Sequence, residues 1–443
     1  MKGLRGACEA DSLSGRLANG VVWSLIGAVI LQGSNLISSI LTARLLGREQ
    51  FGEYGMVQST VGMLGIFAGL GLGVTATKYV AELRRSDPER AGRIIGLSLL
   101  VALISGGLLA VALTLFAETL AAVTLNAPSL VLELRIASIV LFLTAFNGAQ
   151  TGSLSGLEAF RTIAKISLAR GVLTFPVTVI LVLFWRLPGA IWALVVSAAL
   201  ACLLSHFYLR SHCAAEGISL RFSGALRERR VLWAFSTPAF FSSALVSPAM
   251  WLANIMLVHQ AGGYAELALL SAANQWRSAI GFIPGVLGQT ALPILSSLHG
   301  NRDRARYANT LQWNLALTAI TAGAAALPVI VGAPWIMRAY GPGFAQGWPV
   351  LTISATTAFV SCLNGAVGTA ILSSGAAWAG FAFNAMWAGV FISGCHFLVV
   401  SHGAFGQATA MLAAYLAHTI WQVVYLRRCL FRLYKGPCPE TLV

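Results

Sequence analysis

From Ala339 to Leu426 the chain contains no Asp, Glu, Lys or Arg. A water-soluble fold puts charged side chains on the exposed face of its elements, so an uncharged run of this length does not suit one. A bilayer does suit it. Each helical crossing takes about twenty mostly apolar residues, and the run is about three crossings long on that scale. Ser373-Ser374-Gly375 and Ser401-His402-Gly403 are its natural turns. The rest of the sequence has the same character. It is 57% hydrophobic and 10% charged with mean hydropathy +0.77, against about 25% charged residues in soluble domains.

Apolar stretches of spanning length fall at 20–43, 54–77, 94–117, 136–157, 166–185 and 188–209. A second set falls at 231–258, 265–290, 310–335, 348–372, 376–400 and 404–426. The expected fold is therefore an all-α integral membrane protein of about 12 transmembrane helices. Lys and Arg residues in short connections set orientation. With the N-terminus in the cytoplasm, 23 of the 29 fall on the cytoplasmic side, including Arg161, Lys165 and Arg170 after span four. Five (Arg44, Arg48, Arg135, Arg186 and Arg338) fall on the other side, and Arg277 is left inside span eight. That bias implies two cytoplasmic ends. It also accounts for the net charge of +14 without a nucleic-acid partner.

The two sets echo one another. Val22-Trp23 opens span one and Leu232-Trp233 opens span seven; Asp87-Pro-Glu-Arg90-Ala91 is answered by Asn301-Arg-Asp-Arg304-Ala305, an offset of about 214. Both copies start on the same side, so they are parallel repeats of six spans, the architecture of an alternating-access carrier with its site in the seam. The implied domains are a cytoplasmic tail (1–19), an N-lobe (20–210), a linker (211–230), a C-lobe (231–426) and a second tail (427–443). The first nineteen residues are mixed polar, and the apolar stretch after them exceeds a signal-peptide core, so an uncleaved N-terminus is expected. Seven cysteines lack Cys-x-x-Cys or metal-ligand spacing and read as small apolar residues. No catalytic residue, metal or cofactor is expected.

The string Leu41-Thr-Ala-Arg44-Leu-Leu-Gly47-Arg-Glu-Gln-Phe51-Gly52-Glu-Tyr54-Gly55 resembles the first-loop signature of the polysaccharide biosynthesis proteins, the O-antigen-type flippases. Asn19-Gly-Val-Val-Trp23 and the Lys78 to Arg93 segment fit the same pattern. These flippases belong to the multidrug/oligosaccharidyl-lipid/polysaccharide exporter superfamily. The resemblance implies two pseudo-symmetric six-helix lobes in a V, like the multidrug and toxin extrusion carriers, opening alternately to either face of a bacterial inner membrane. It also implies the cargo, a polyprenyl-diphosphate-linked oligosaccharide moved from the cytoplasmic to the outer leaflet. Glycan polymerase and glycosyltransferases of the same pathway are the expected protein partners. Span one lacks the carboxylate that extrusion carriers often hold, and the lipid II flippases usually have fourteen spans. Both departures favour the polysaccharide branch.

Arg277 is the sharpest candidate for binding that cargo. A cation in mid-span costs several kcal/mol unless it meets water or a partner. No acidic residue sits at comparable depth in the other spans, and guanidinium fits phosphate oxygens two-pronged. Asn274 and Gln275 beside it, Gln32, Ser34 and Asn35 in span one, and Trp251 and Asn254 in span seven are further candidates for lining the path. Each of these polar residues could equally join two helices. Arg44 and Arg48 read as loop anchors. Lys78, Arg84, Arg85 and Arg90 read as contacts for anionic membrane lipid. Gly62, Gly65, Gly69 and Gly73 share one face of span two and read as packing or bending. His206, His259, His396 and His418 read as neutral and bonded to helix carbonyls. Two alternatives compete with the flippase: an ion-coupled multidrug exporter, which an unpaired Arg277 disfavours, and an enzyme of lipid-linked sugars, for which the connections are too short and too poor in acid and base groups.

Overall fold

The computed structural model describes residues 31–220, 228, 245–301 and 303–433, and no β-strand occurs among them. The expectations for both tails, most of the linker and the first parts of spans one and seven fall largely outside these residues. The described helices are α1 (31–46), α2 (Arg48–Gly69), α3 (Leu72–Leu83), α4 (Pro88–Leu115), α5 (Val131–Gly156) and α6 (Phe160–Ala215). They continue with α7 (Val246–Val258), α8 (Gly263–Gly300), α9 (Arg304–Tyr340), α10 (Trp348–Ser373) and α11 (Ala377–Leu433). Seven are long and apolar enough to cross a membrane, and α2 with α3, bent by 41°, make an eighth. α6 and α11 each contain a sharp corner and so supply two legs apiece. With the described parts of α1 and α7, the legs come to the expected twelve. The protein is an all-α integral membrane protein.

Side-chain placement follows the bilayer. α4 buries Ile94, Ile95, Leu99 and Ala102 and exposes Ile104, Leu108, Val111 and Leu115, an apolar stripe at helical spacing. On α9, Trp313 and Trp335 are both exposed. They lie twenty-two residues apart on one face, or about 33 Å at 1.5 Å per residue. That separation matches the hydrocarbon thickness, with a Trp at each interface.

The chain forms two compact units, which among the described residues take in 31–46 with 56–220, and 47–55 with 245–433. Each repeats the same local devices. Asp87 caps α4 by accepting from the Arg90 N–H at 2.9 Å, and Asp303 caps α9 by accepting from the Arg306 N–H at 3.2 Å. Asp87 therefore corresponds to Asp303 rather than Asn301, an offset of 216. The α5–α6 turn passes through Glu158 at φ 56°, and the α10–α11 turn through Gly375 at φ 82°, 217 residues later. The corner in α6 is Arg186 (φ 52°, ψ −128°) and the corner in α11 is Gly403 (φ 52°, ψ −129°), again 217 apart. Three residues on, Gly189 and Gly406 each sit where a Cβ would be 2.0 and 2.1 Å from the carbonyl oxygens of Leu181 and Leu398. Only glycine permits that approach. We call the end of each unit with the Asp caps the basic end, and the end with the corners the far end.

Candidate functional site

In the second unit, Arg277 lies fourteen residues from Gly263 and twenty-three from Gly300 on α8, about 21 and 35 Å along the axis. It is half-buried, and its Nη1 reaches Met411 Sδ at 3.4 Å. It forms no ion pair with a carboxylate among the described residues. Asn274 and Gln275 are half-buried on the same stretch, and the Asn274 carbonyl accepts from Ser278 Oγ. Met411 belongs to a buried face of α11 that also carries Gln407, Ala414, His418 and Gln422. Asn254 of α7 is buried and accepts from Gln407 Nε2 at 2.8 Å, so it joins two helices. Gln407 Oε1, Gln422 Oε1 and both ring nitrogens of His418 have no hydrogen-bond partner among the described residues. His418 thus departs from the carbonyl-bonded state expected of it, whereas His259 Nδ1 lies 2.9 Å from the Ile255 carbonyl oxygen. Trp251 is half-buried on α7.

The far end of the second unit explains the signature loop. Arg48 donates from Nε to the Ala265 carbonyl (2.7 Å) and from Nη2 to Glu266 Oε1. The other Glu266 oxygen accepts from the Ala404 N–H at 3.0 Å, just past the α11 corner. A Cβ on Gly52 would lie 1.8 Å from the Tyr264 carbonyl oxygen, and one on Gly55 would lie 2.1 Å from Ser271 Oγ. Phe51 packs among Tyr54, Tyr340 and Phe344. Arg48 is a structural anchor of this unit.

The first unit holds a cavity of about 590 Å³ lined by Gly62, Gly65, Gly69 and Gly73 of α2 and α3, Thr144 and Gly148 of α5, Leu194 of α6 and neighbouring apolar groups. Gly62 and Gly69 face open space, while Gly73 meets the Gly148 carbonyl at 3.0 Å from an ideal Cβ. The glycine face is therefore only partly for packing. Bending also occurs, at Leu70 (φ 43°) and Gly71 (φ 69°). On α1, Gln32 and Ser34 are half-buried and Asn35 is exposed. Ser34 Oγ lies 3.3 Å from where a Cβ on Gly171 would be, which sets this turn of α1 against α6.

Two assignments from sequence change here. Arg84 and Arg90 hold protein partners, and Arg84 is nearly buried. Arg84 pairs with Glu158 (2.6 Å) and Glu216 (3.9 Å) and donates to the Leu157 carbonyl, while Arg90 pairs with Glu228. Arg170 does not belong to a connection. It sits ten residues inside α6 and sixteen before the corner, and its Nε and Nη2 both reach Ser197 Oγ at 3.3 Å. Its position four residues inside the 166–185 stretch was the available signal.

The sequence compares with known proteins as follows. The family described as "Polysaccharide biosynthesis protein" matches residues 17–299. The EPS I polysaccharide export inner membrane protein EpsE of Ralstonia nicotianae is 27% identical over 417 residues, covering 92% of each chain. The succinoglycan biosynthesis transport protein ExoT of Rhizobium meliloti is 25% identical over 345 residues, covering 76% of this chain and 65% of its own. An inward-facing multidrug resistance MATE family transporter of the MOP superfamily superposes with TM-score 0.75 at 16% identity, over 95% of this chain and all of that one. At that identity the superposition speaks for the fold. The family match spans well over half of the chain, so the protein belongs to the polysaccharide biosynthesis family.

Proposed function

We propose that the protein moves a polyprenyl-diphosphate-linked oligosaccharide across a bacterial inner membrane, with both termini in the cytoplasm, and that Arg277 holds the diphosphate. One observation carries this reading: a guanidinium mid-way along a membrane helix, bonded to a thioether and paired with no carboxylate among the described residues. A thioether is a weak acceptor, so most of the guanidinium donors stay available for phosphate oxygens. The names of the relatives support a polysaccharide cargo, and the Lys/Arg bias supports the orientation. Asn274, one turn before Arg277, and Gln275 are proposed to add hydrogen bonds to the cargo. Gln32 and Asn35, with Trp251, are proposed to meet the sugar, while Asn254 contributes through Gln407. Pathway glycosyltransferases and a polymerase would supply and consume the cargo.

The energetics suit this cargo. An anion leaving a negative cytoplasm gains about 2.3 kcal/mol per charge per 100 mV. A doubly charged diphosphate therefore gains roughly 4–5 kcal/mol, and no titrating carboxylate is needed for that bias. The test is Arg277→Ala, reading arrival of lipid-linked sugar in the outer leaflet against the amount of protein in the membrane. Loss of translocation at normal protein levels is expected; normal translocation removes Arg277 from the mechanism.

A further inference from the structure

The first unit has its own membrane-embedded cation. Arg161 and Lys165 are exposed near the start of α6, but Arg170 is half-buried one and a half turns further in. The depth of its head group can be read from Ser197, its partner on the second leg of α6. Ser197 stands eleven residues beyond the far-end corner and eighteen before Ala215, about 16 and 27 Å along the axis. The guanidinium therefore lies well inside a hydrocarbon layer about 30 Å thick.

Its partners are neutral. Both bonds from Nε and Nη2 go to one hydroxyl, Ser197 Oγ, which also accepts from Thr174 Oγ1 at 3.1 Å. No carboxylate pairs with Arg170 among the described residues. A guanidinium has five N–H donors, and one hydroxyl cannot satisfy them. Nε and Nη2 are engaged with Ser197, and Nη1, which has no partner among the described residues, is not among their sealed, unpartnered atoms, so that nitrogen is not closed off. Ser197 is itself buried, as befits a fixed post rather than a ligand. Leu194, one turn away on the same leg, lines the glycine-faced cavity.

A cation at this depth is costly unless an anion or water meets it. A brace between the two legs of α6 needs only neutral groups such as Thr174 and Ser197, and gains nothing from a charge. We infer that Arg170 is a phosphate-binding residue of the first unit, with Ser197 and Thr174 fixing the direction of the fork. This inference rests on the cargo class proposed above.

The experiment uses the full-length protein in phosphatidylcholine nanodiscs, with undecaprenyl diphosphate as probe and undecaprenol as its uncharged control. Arg170→Ala is expected to weaken binding of the diphosphate lipid about tenfold or more, the scale of a lost charge-assisted contact, and to leave undecaprenol unchanged. Arg170→Lys should restore part of the loss, because charge returns without the fork, and Ser197→Ala should weaken binding by a smaller factor. Thermal stability of each variant is read alongside, and Arg170→Lys carries the test if the alanine variant does not fold. Unchanged diphosphate affinity in Arg170→Ala, with affinity lost in Arg277→Ala, overturns the Arg170 inference and spares the cargo reading. Equal displacement of the probe by phosphatidylglycerol makes Arg170 a bilayer head-group contact, which also overturns it. A wild-type protein that does not prefer the diphosphate lipid to undecaprenol sinks both.

Discussion

The corners of α6 and α11 turn through the same backbone angles with different residues, and the difference lies in what presses on them. At Gly403 a Cβ would meet Glu266 Oε2 at 2.8 Å, since that carboxylate also accepts from the next N–H. The second unit therefore needs a bare Cα. At Arg186 no such group intrudes, and the side chain reaches the Leu45 carbonyl at 2.6 Å, tying the corner to the end of α1. The first unit accepts the strain of φ 52° in a residue with a side chain and gains a tether. Pro188 follows Arg186 closely, whereas Phe405 occupies the matching place after Gly403. The turn is the same in each unit while its chemistry differs. The second helices diverge further: α2 and α3 break at Leu70–Gly71, whereas α8 runs through Pro284 and Pro293 without a break.

The hardest test of the equivalence is Gly189→Leu against Gly406→Leu. Each would drive a side chain into a carbonyl that an ideal Cβ already meets at 2.0 and 2.1 Å, and a cost above about 4–5 kcal/mol is expected for both. Neither variant should give a monodisperse peak on size-exclusion chromatography in detergent. If one of the pair tolerates leucine, the two corners are not the same structure.

How much of this was legible beforehand depended on which property carried the information. Span positions come from hydrophobicity, a sum over about twenty residues, and the twelve legs lie where the apolar stretches do. The repeat was readable from Asp87, but its register slipped by two residues. Composition favoured the Asn301-Arg-Asp string as a whole, and only the cap geometry singles out Asp303. Arg277 stood out because nothing charged surrounds it in sequence. Arg170 did not, because it follows Arg161 and Lys165 and was grouped with them; depth is a property of where the helix starts, at Phe160, and that start is only weakly encoded. The pairing of Arg84 with Glu158 and Glu216 brings together positions far apart in sequence, and no local pattern predicts it.

A milder comparison exchanges the corner residues. Gly403→Ala should cost about 1–3 kcal/mol, from the left-handed conformation and from displacement of the Glu266 carboxylate. Arg186→Gly should shift stability by roughly 1 kcal/mol or less, because relief of the same conformation offsets one exposed hydrogen bond. Thermal unfolding of the purified variants reads both, and a larger loss for Arg186→Gly would mean that the tether to Leu45 outweighs the strain. Glu266→Gln belongs between them. It keeps the shape but removes the charge that faces Arg48, and both side chains are about one-third exposed (32% and 28%). A loss of about 1 kcal/mol is expected for so accessible a pair.

The smallest effect is the one that bears on function in the first unit. Gly62 has nothing within 4 Å of an ideal Cβ, whereas Gly73 already lies 3.0 Å from the Gly148 carbonyl. In a helix interior glycine to alanine gains about 0.5–1 kcal/mol where space allows. Gly62→Ala should therefore be neutral to stabilising, Gly73→Ala destabilising, and Gly285→Ala on α8, which also faces open space, should behave like Gly62→Ala. Thermal unfolding decides the signs. Transport measured on the same variants then separates packing from use: one methyl group removes little of a 590 Å³ cavity, so Gly62→Ala should transport normally if the cavity is only a gap between helices. A stable Gly62→Ala protein that transports poorly would show that the glycines are kept for the space they leave open, and that the two units differ in task as well as in residues.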